Sequence, residues 1–131
     1  AATRVTSSTG RLALVVDDEP DLRELAGDML RRLGWDVVAA ADGRAGVELF
    51  RAHRSAVGLV VVDRTMPEMD GVETLTAIRR ERADVPAVLC SGYPSDDAGV
   101  PGVVYLAKPF RMIELTQAVA QAMYPDPTAT P

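Results

Sequence analysis

The chain has 131 residues, 47% hydrophobic and 25% charged, with a formal net charge of −5. That length suits one domain able to bury a core without disulfide or metal staples, and the acidic balance argues against direct nucleic-acid binding, which needs a basic face. The single cysteine, Cys90, excludes an internal disulfide and fits a reducing, cytoplasmic setting, and no apolar run approaches the roughly 18 residues that cross a bilayer.

The opening AATRVTSSTG lacks both the basic start and the apolar stretch of a secretory signal. It also lacks Met, and reads as a disordered segment on a piece of a longer protein. LALVV (12–16) is short, branched and continuous, as expected of a strand buried on both faces, and it stops at the acids Asp17, Asp18 and Glu19. Pro20 then suits a first helical turn, and Leu22, Leu25, Ala26, Met29, Leu30 and Leu33 recur at helical spacing up to Gly34. WDVVAA (35–40) is the second strand. A helix over about 43–53 follows, with Gly46, Leu49, Phe50 and His53 on one stripe.

GLVVVD (58–63) is another fully apolar run ending in an acid. Asp70, Gly71 and Glu73 predict a capped helix start, with Val72, Leu75 and Ile78 turned inward. PAVLCS (86–91) and VVYLA (103–107) complete the strands. A last helix over about 110–123 carries Leu115, Ala118, Val119 and Ala122 on its apolar face. The folded unit is expected over 11–124, with 125–131 a proline-rich tail or linker.

Strands alternating with helices imply a parallel sheet covered on both faces. The connection GYPSDDAGVPG (92–102) is broken by Pro94, Gly99, Pro101 and Gly102, so the helix in that crossover is expected to be short or missing.

In an open parallel sheet, ligands gather outside the carboxyl ends of the strands. Those ends here carry Asp17-Asp18, Asp63, Ser91 and Lys108-Pro109. Carboxylates brought together need positive charge to stay ionised, and a small hard cation such as Mg²⁺ with oxygen ligands is the economical answer. With Mg²⁺ and Lys108 beside it, Asp63 can act as a nucleophile toward phosphorus, and phosphoryl transfer then requires mainly positioning and charge neutralisation. The Ser91 hydroxyl and nearby amides are left to receive a phosphoryl oxygen.

VVDDEP after strand 1, VVDRTMPEMDG around Asp63, LCSGY after strand 4 and YLAKPF at strand 5 together resemble response-regulator receiver domains over about 11–123. The resemblance implies a flavodoxin-like, doubly wound five-stranded parallel sheet in the order 2-1-3-4-5. It implies Asp63 as phosphoacceptor, and a Mg²⁺ site made by Asp17, Asp18, Asp63 and the backbone carbonyl of Thr65. It implies Ser91, Gly92 and Lys108 as phosphoryl-binding residues, Ser91 and Tyr105 as the switch pair, and Pro109 as the structural partner in a cis Lys108–Pro109 peptide. Thr65 and Tyr93 flank the path of the hydrolytic water.

The expected role is that of a signalling receiver rather than a conventional enzyme, one that promotes its own phosphorylation and dephosphorylation. His53, the only histidine, suits plain helix flank, so the phosphoryl donor is expected to be a histidine kinase or histidine phosphotransfer domain, in trans or in the same parent chain. The Ser-Gly-Tyr segment is similar to receivers attached to hybrid sensor kinases. Neither nucleic acid nor membrane is an expected partner of this segment, and the oligomeric state stays open. The competing reading is a Mg²⁺-dependent phosphohydrolase with an aspartyl-phosphate intermediate, although such enzymes usually carry the nucleophile after strand 1. Cys90 reads as inert core, and the pairs Arg31-Arg32 and Arg79-Arg80 as solvated helix ends.

Overall fold

The structure is a computed structural model that describes residues 11–92 and 100–125. In chain order the described elements are β1 (Leu12–Val16), α1 (Pro20–Arg32), β2 (Asp36–Ala40), α2 (Gly43–Ala52), β3 (Val57–Asp63), α3 (Gly71–Glu81), β4 (Ala87–Ser91), β5 (Val103–Ala107) and α4 (Met112–Met123). All neighbouring strands are parallel and the order is β2-β1-β3-β4-β5. This is the flavodoxin-like receiver fold with four described helices. The short or missing crossover helix expected between β4 and β5 falls on residues 93–99, which lie outside the described residues, as does Tyr93.

The central strands β1, β3 and β4 are buried along their whole length, which is why their sequences are apolar runs rather than alternations. Side chains on them point alternately to two cores. One, against α2 and α3, contains Leu12, Leu14, Val60, Val62, Phe50, Leu75 and Ile78. The other, against α1 and α4, contains Ala13, Val15, Val61, Cys90, Leu30 and Leu115.

Local signals in the chain account for the helix ends. Pro20 opens α1, and Gly34 ends it in the left-handed region (φ 97°). Asp42 accepts from the Ala45 N–H at the start of α2. A full capping box opens α3: Asp70 accepts from the Glu73 N–H at 2.8 Å, and Glu73 from the Asp70 N–H at 2.9 Å.

Three expectations are corrected. Leu25 is not part of the buried stripe of α1 but 47% exposed, because it stands over the open mouth of a cavity rather than over the sheet. His53 caps α2 instead of continuing its stripe, its N–H donating to the Leu49 and Phe50 carbonyls. Arg79 is not a solvated helix end, since its guanidinium is committed to backbone carbonyls across the domain.

Candidate functional site

The period of two along each strand decides which side chains meet at the carboxyl edge. Val15 and Val61 face the α1/α4 core, so Asp17 and Asp63, two residues further on, point to the same side. Leu106 does likewise on β5, which brings Lys108 to that side as well. Backbone hydrogen bonds continue the sheet past its strands at these points. Asp17 N–H donates to the Ala40 carbonyl at 3.2 Å, Arg64 N–H to Cys90 at 2.8 Å, and Lys108 N–H to Ser91 at 2.8 Å. The Lys108–Pro109 peptide is cis.

Asp17, Asp18 and Asp63 each offer a carboxylate oxygen within 4.8 Å of the other two. Asp63 is only 6% exposed and Asp17 8%. The ammonium of Lys108, the single lysine of the chain, lies 3.3 Å from Asp63 Oδ1, 3.5 Å from Asp17 Oδ2 and 3.8 Å from Glu19 Oε1. The loops are braced beneath these groups. Asp17 Oδ1 accepts from the Glu19 N–H, and Arg23 donates to the Asp17 carbonyl at 2.8 Å. Gly71 begins α3 so close to β3 that any side chain there would strike the Asp63 carbonyl.

Burial pushes the Asp63 carboxyl above the ordinary aspartate value, and the Asp17 charge adds to the rise. Lys108 and the Thr65 N–H pull the other way without cancelling it. Burial opposes the charge on Lys108, but Asp17 and Asp63 together outweigh it and hold the ammonium above its usual pKa. Among the described residues, Lys108 is the cation paired with Asp17, Glu19 and Asp63, and it leaves the Asp63 carboxyl still raised. An all-oxygen donor set with unmet positive charge is the chemistry a hard divalent cation suits, so the residues present fit Mg²⁺.

Asp18, Glu19, Asp63, Thr65, Gly92 and Lys108 line an open cleft of about 360 Å³. Among the described residues, a Cβ built on Gly92 would meet nothing within 4 Å. Ser91 is 4% exposed and pairs in register with Ala107, while Tyr105, two positions earlier on β5, faces the α2/α3 core and is half-buried. Cys90 lies under the rim, where burial pushes its thiol up to about 12. His53 lies at the far end of α2, away from this rim.

Sequence reasoning missed Glu19 as a partner of Lys108, Arg23 as the brace of the β1–α1 loop, and the engagement of Arg79. The spacing of Arg23 four residues after Glu19 was the only available signal, and it is shared with any solvated helix pair.

The sequence profile of the family described as response regulator receiver domain matches residues 13–120. The chain belongs to the response-regulator receiver family. It is 35% identical over 119 residues to the transcriptional regulatory protein PrrA of Mycobacterium tuberculosis, covering 87% of this chain and 50% of PrrA. It is 30% identical over 116 residues to the chemotaxis protein CheY of Bacillus subtilis, covering 84% of this chain and 95% of CheY. Among solved structures it superposes on the response regulator TrrA of Thermotoga maritima, in complex with Mg²⁺-BeF, with a TM-score of 0.75 and 28% identity over 86% of this chain and 98% of that one. The receiver spans about half the length of most curated relatives it matches. Among the described residues no helix is long and apolar enough to cross a membrane.

Proposed function

We propose that this receiver accepts a phosphoryl group on Asp63, with Asp17, Asp18, Asp63 and the Thr65 carbonyl holding Mg²⁺. The observation that carries the reading is the buried Asp63 carboxylate, flanked by two further acids and by Lys108 Nζ at 3.3 Å, at the open cleft. The donor is a phosphohistidine on a histidine kinase or phosphotransfer domain, in trans or within the same parent chain. A carboxylate oxygen of Asp63 forms the new P–O bond as the P–N bond to the donor imidazole breaks, and the electron pair stays on the imidazole nitrogen. Water later cleaves the acyl phosphate, restoring the carboxylate and releasing inorganic phosphate.

Mg²⁺, when bound, supplies the positive charge that lets the incoming phosphoryl group share a rim with three carboxylates. Lys108 holds a phosphoryl oxygen as a point charge, and Gly92, which has no side chain, leaves room for the group. Ser91 and Tyr105 form the switch: the hydroxyl moves toward the phosphoryl oxygen and the aromatic ring follows. Thr65, with Tyr93, tunes access of the hydrolytic water. Residues 11–124 form the receiver unit, and 125–131 a tail or linker.

Amide chemical shifts measured on addition of beryllofluoride and Mg²⁺ test the reading. The wild type is expected to respond around Asp63, Ser91 and Lys108, whereas Asp63→Asn stays unmoved. A full response in the variant, or steady turnover of an aryl phosphate ester by the wild type, overturns it.

A further inference from the structure

The segment 17–19 brings Asp17 and Asp18 to the acid cluster, and it is held from outside that cluster as well as from within. Every polar atom of Asp17 is engaged. Its N–H donates to the Ala40 carbonyl at 3.2 Å, and its Oδ1 accepts from the Glu19 N–H at 3.0 Å. Its Oδ2 lies 3.5 Å from Lys108 Nζ, and its carbonyl accepts from the Arg23 guanidinium at 2.8 Å. Arg23 stands in the first turn of α1, where its own N–H donates to the Glu19 carbonyl at 2.9 Å. One residue thus holds both ends of the segment, the Glu19 end by its backbone and the Asp17 end by its side chain. Pro20 between them fixes a further backbone torsion.

The carbonyl that Arg23 holds belongs to the peptide plane from which Asp18 departs. Fixing that plane fixes the direction in which the Asp18 carboxylate leaves the loop, and a bond from a guanidinium is charge-assisted and correspondingly firm. Lys108 cannot take over this task, since its ammonium is shared among Asp17, Glu19 and Asp63. A stiff pair of carboxylates matters differently to different cations. Mg²⁺ demands near-ideal octahedral geometry at short distances, whereas Ca²⁺ accepts longer bonds and irregular arrangements. Slack in the acid loop therefore harms the smaller ion first.

We propose that Arg23 is a positioning residue that makes the acid site selective for Mg²⁺ over Ca²⁺, by holding the Asp17 carbonyl so that residues 17–19 cannot relax around a larger ion. This rests on the Mg²⁺-binding reading above and names the residue that sets the choice of cation. Arg23 acts through the peptide it holds and not as a ligand, because a guanidinium is always cationic and has no acceptor to offer a metal.

Titration of the full chain with MgCl₂ and, separately, with CaCl₂, followed by the amide chemical shifts of residues 17–19 and 63–65, gives a Kd for each ion. Arg23→Ala is expected to weaken Mg²⁺ binding about tenfold, the lower end of what losing a ligand-orienting partner costs. Its Ca²⁺ binding is expected to stay within about twofold of the wild type, as suits the less exacting ion. Arg23→Lys keeps a cation able to meet a carbonyl but loses the fork, so its Mg²⁺ affinity is expected to fall between the two. Should the alanine variant fail to fold, a larger loss for Mg²⁺ than for Ca²⁺ in Arg23→Lys decides the matter alone. In the metal-free protein the Glu19 amide is expected to exchange with solvent faster in the variants than in the wild type. Equal losses for the two ions, no loss for either, or an unchanged Glu19 amide overturns the role of Arg23 while the wild type still binds Mg²⁺. A wild type whose amides ignore Mg²⁺ overturns the metal-site reading and this inference with it.

Discussion

Replacing Asp63 by Asn is expected to raise the stability of the metal-free domain even as it abolishes function. Burial of the Asp63 charge is the largest unfavourable contribution, and the Asp17 carboxylate, with an oxygen within 4.8 Å, adds a repulsion of about 3.5 kcal/mol at an effective dielectric near 20. Lys108 at 3.3 Å returns about 5 kcal/mol on the same basis. Lys108 does not cancel burial and the Asp17 charge together, since the Asp63 carboxyl stays raised. The variant, whose amide oxygen still accepts from the Thr65 N–H, is therefore expected to gain about 1 kcal/mol, or roughly 4 °C in Tm for a domain of this size. Mg²⁺ should reverse the order. At a hundredfold excess over its Kd a ligand stabilises by about 2.7 kcal/mol, and the variant loses most of that gain. Thermal melts of both proteins in EDTA and in Mg²⁺ read the crossover directly. A variant that melts below wild type in EDTA, or one that gains as much from Mg²⁺ as wild type does, would refute the electrostatic account of the rim.

The same cluster sets a pH dependence. Asp63 has its pKa raised in the folded state, so its contribution is fully present below its unfolded value and is lost as pH rises through the folded one. The advantage of Asp63→Asn in EDTA should accordingly grow from the acid side of the carboxylate range to neutrality. Urea titrations at several pH values check this, and a constant gap would contradict it. Gly71→Ala is expected to cost about 2 kcal/mol or more, because a methyl group has no room against the Asp63 carbonyl and α3 must move; a variant as stable as wild type would show that α3 yields freely. The buried Cys90, its thiol pushed up to about 12, should resist a thiol reagent in the native protein and react only as fast as the domain opens. Rapid labelling of the native protein would place it outside the core.

The residues most legible in the sequence are those whose surroundings repeat along the chain. LALVV and GLVVVD have no polar side because both sheet faces are covered, and the acids that end them mark the carboxyl edge. Asp70 and Glu73 announce their helix because a capping box lies wholly within four residues. Arg79 and Arg23 were illegible for the opposite reason. Their partners are backbone carbonyls, which every residue carries, so nothing in the sequence distinguishes them from solvated arginines until the fold brings Gly102 or Asp17 alongside. Leu25 misled in the same way: helical spacing gives a stripe its direction but not the edge of the surface it covers, and Leu25 lines an open cavity, 47% exposed.

The central claim is that the phosphoryl group is carried by Asp63 rather than by Asp17 or Asp18. Borohydride reduction of the protein charged with acetyl phosphate and Mg²⁺ converts an acyl phosphate to homoserine, and peptide mass mapping then locates it. Homoserine at position 63 alone, and none in Asp63→Asn, is the expected result. Homoserine at position 17 or 18, or undiminished labelling of Asp63→Asn, would contradict it.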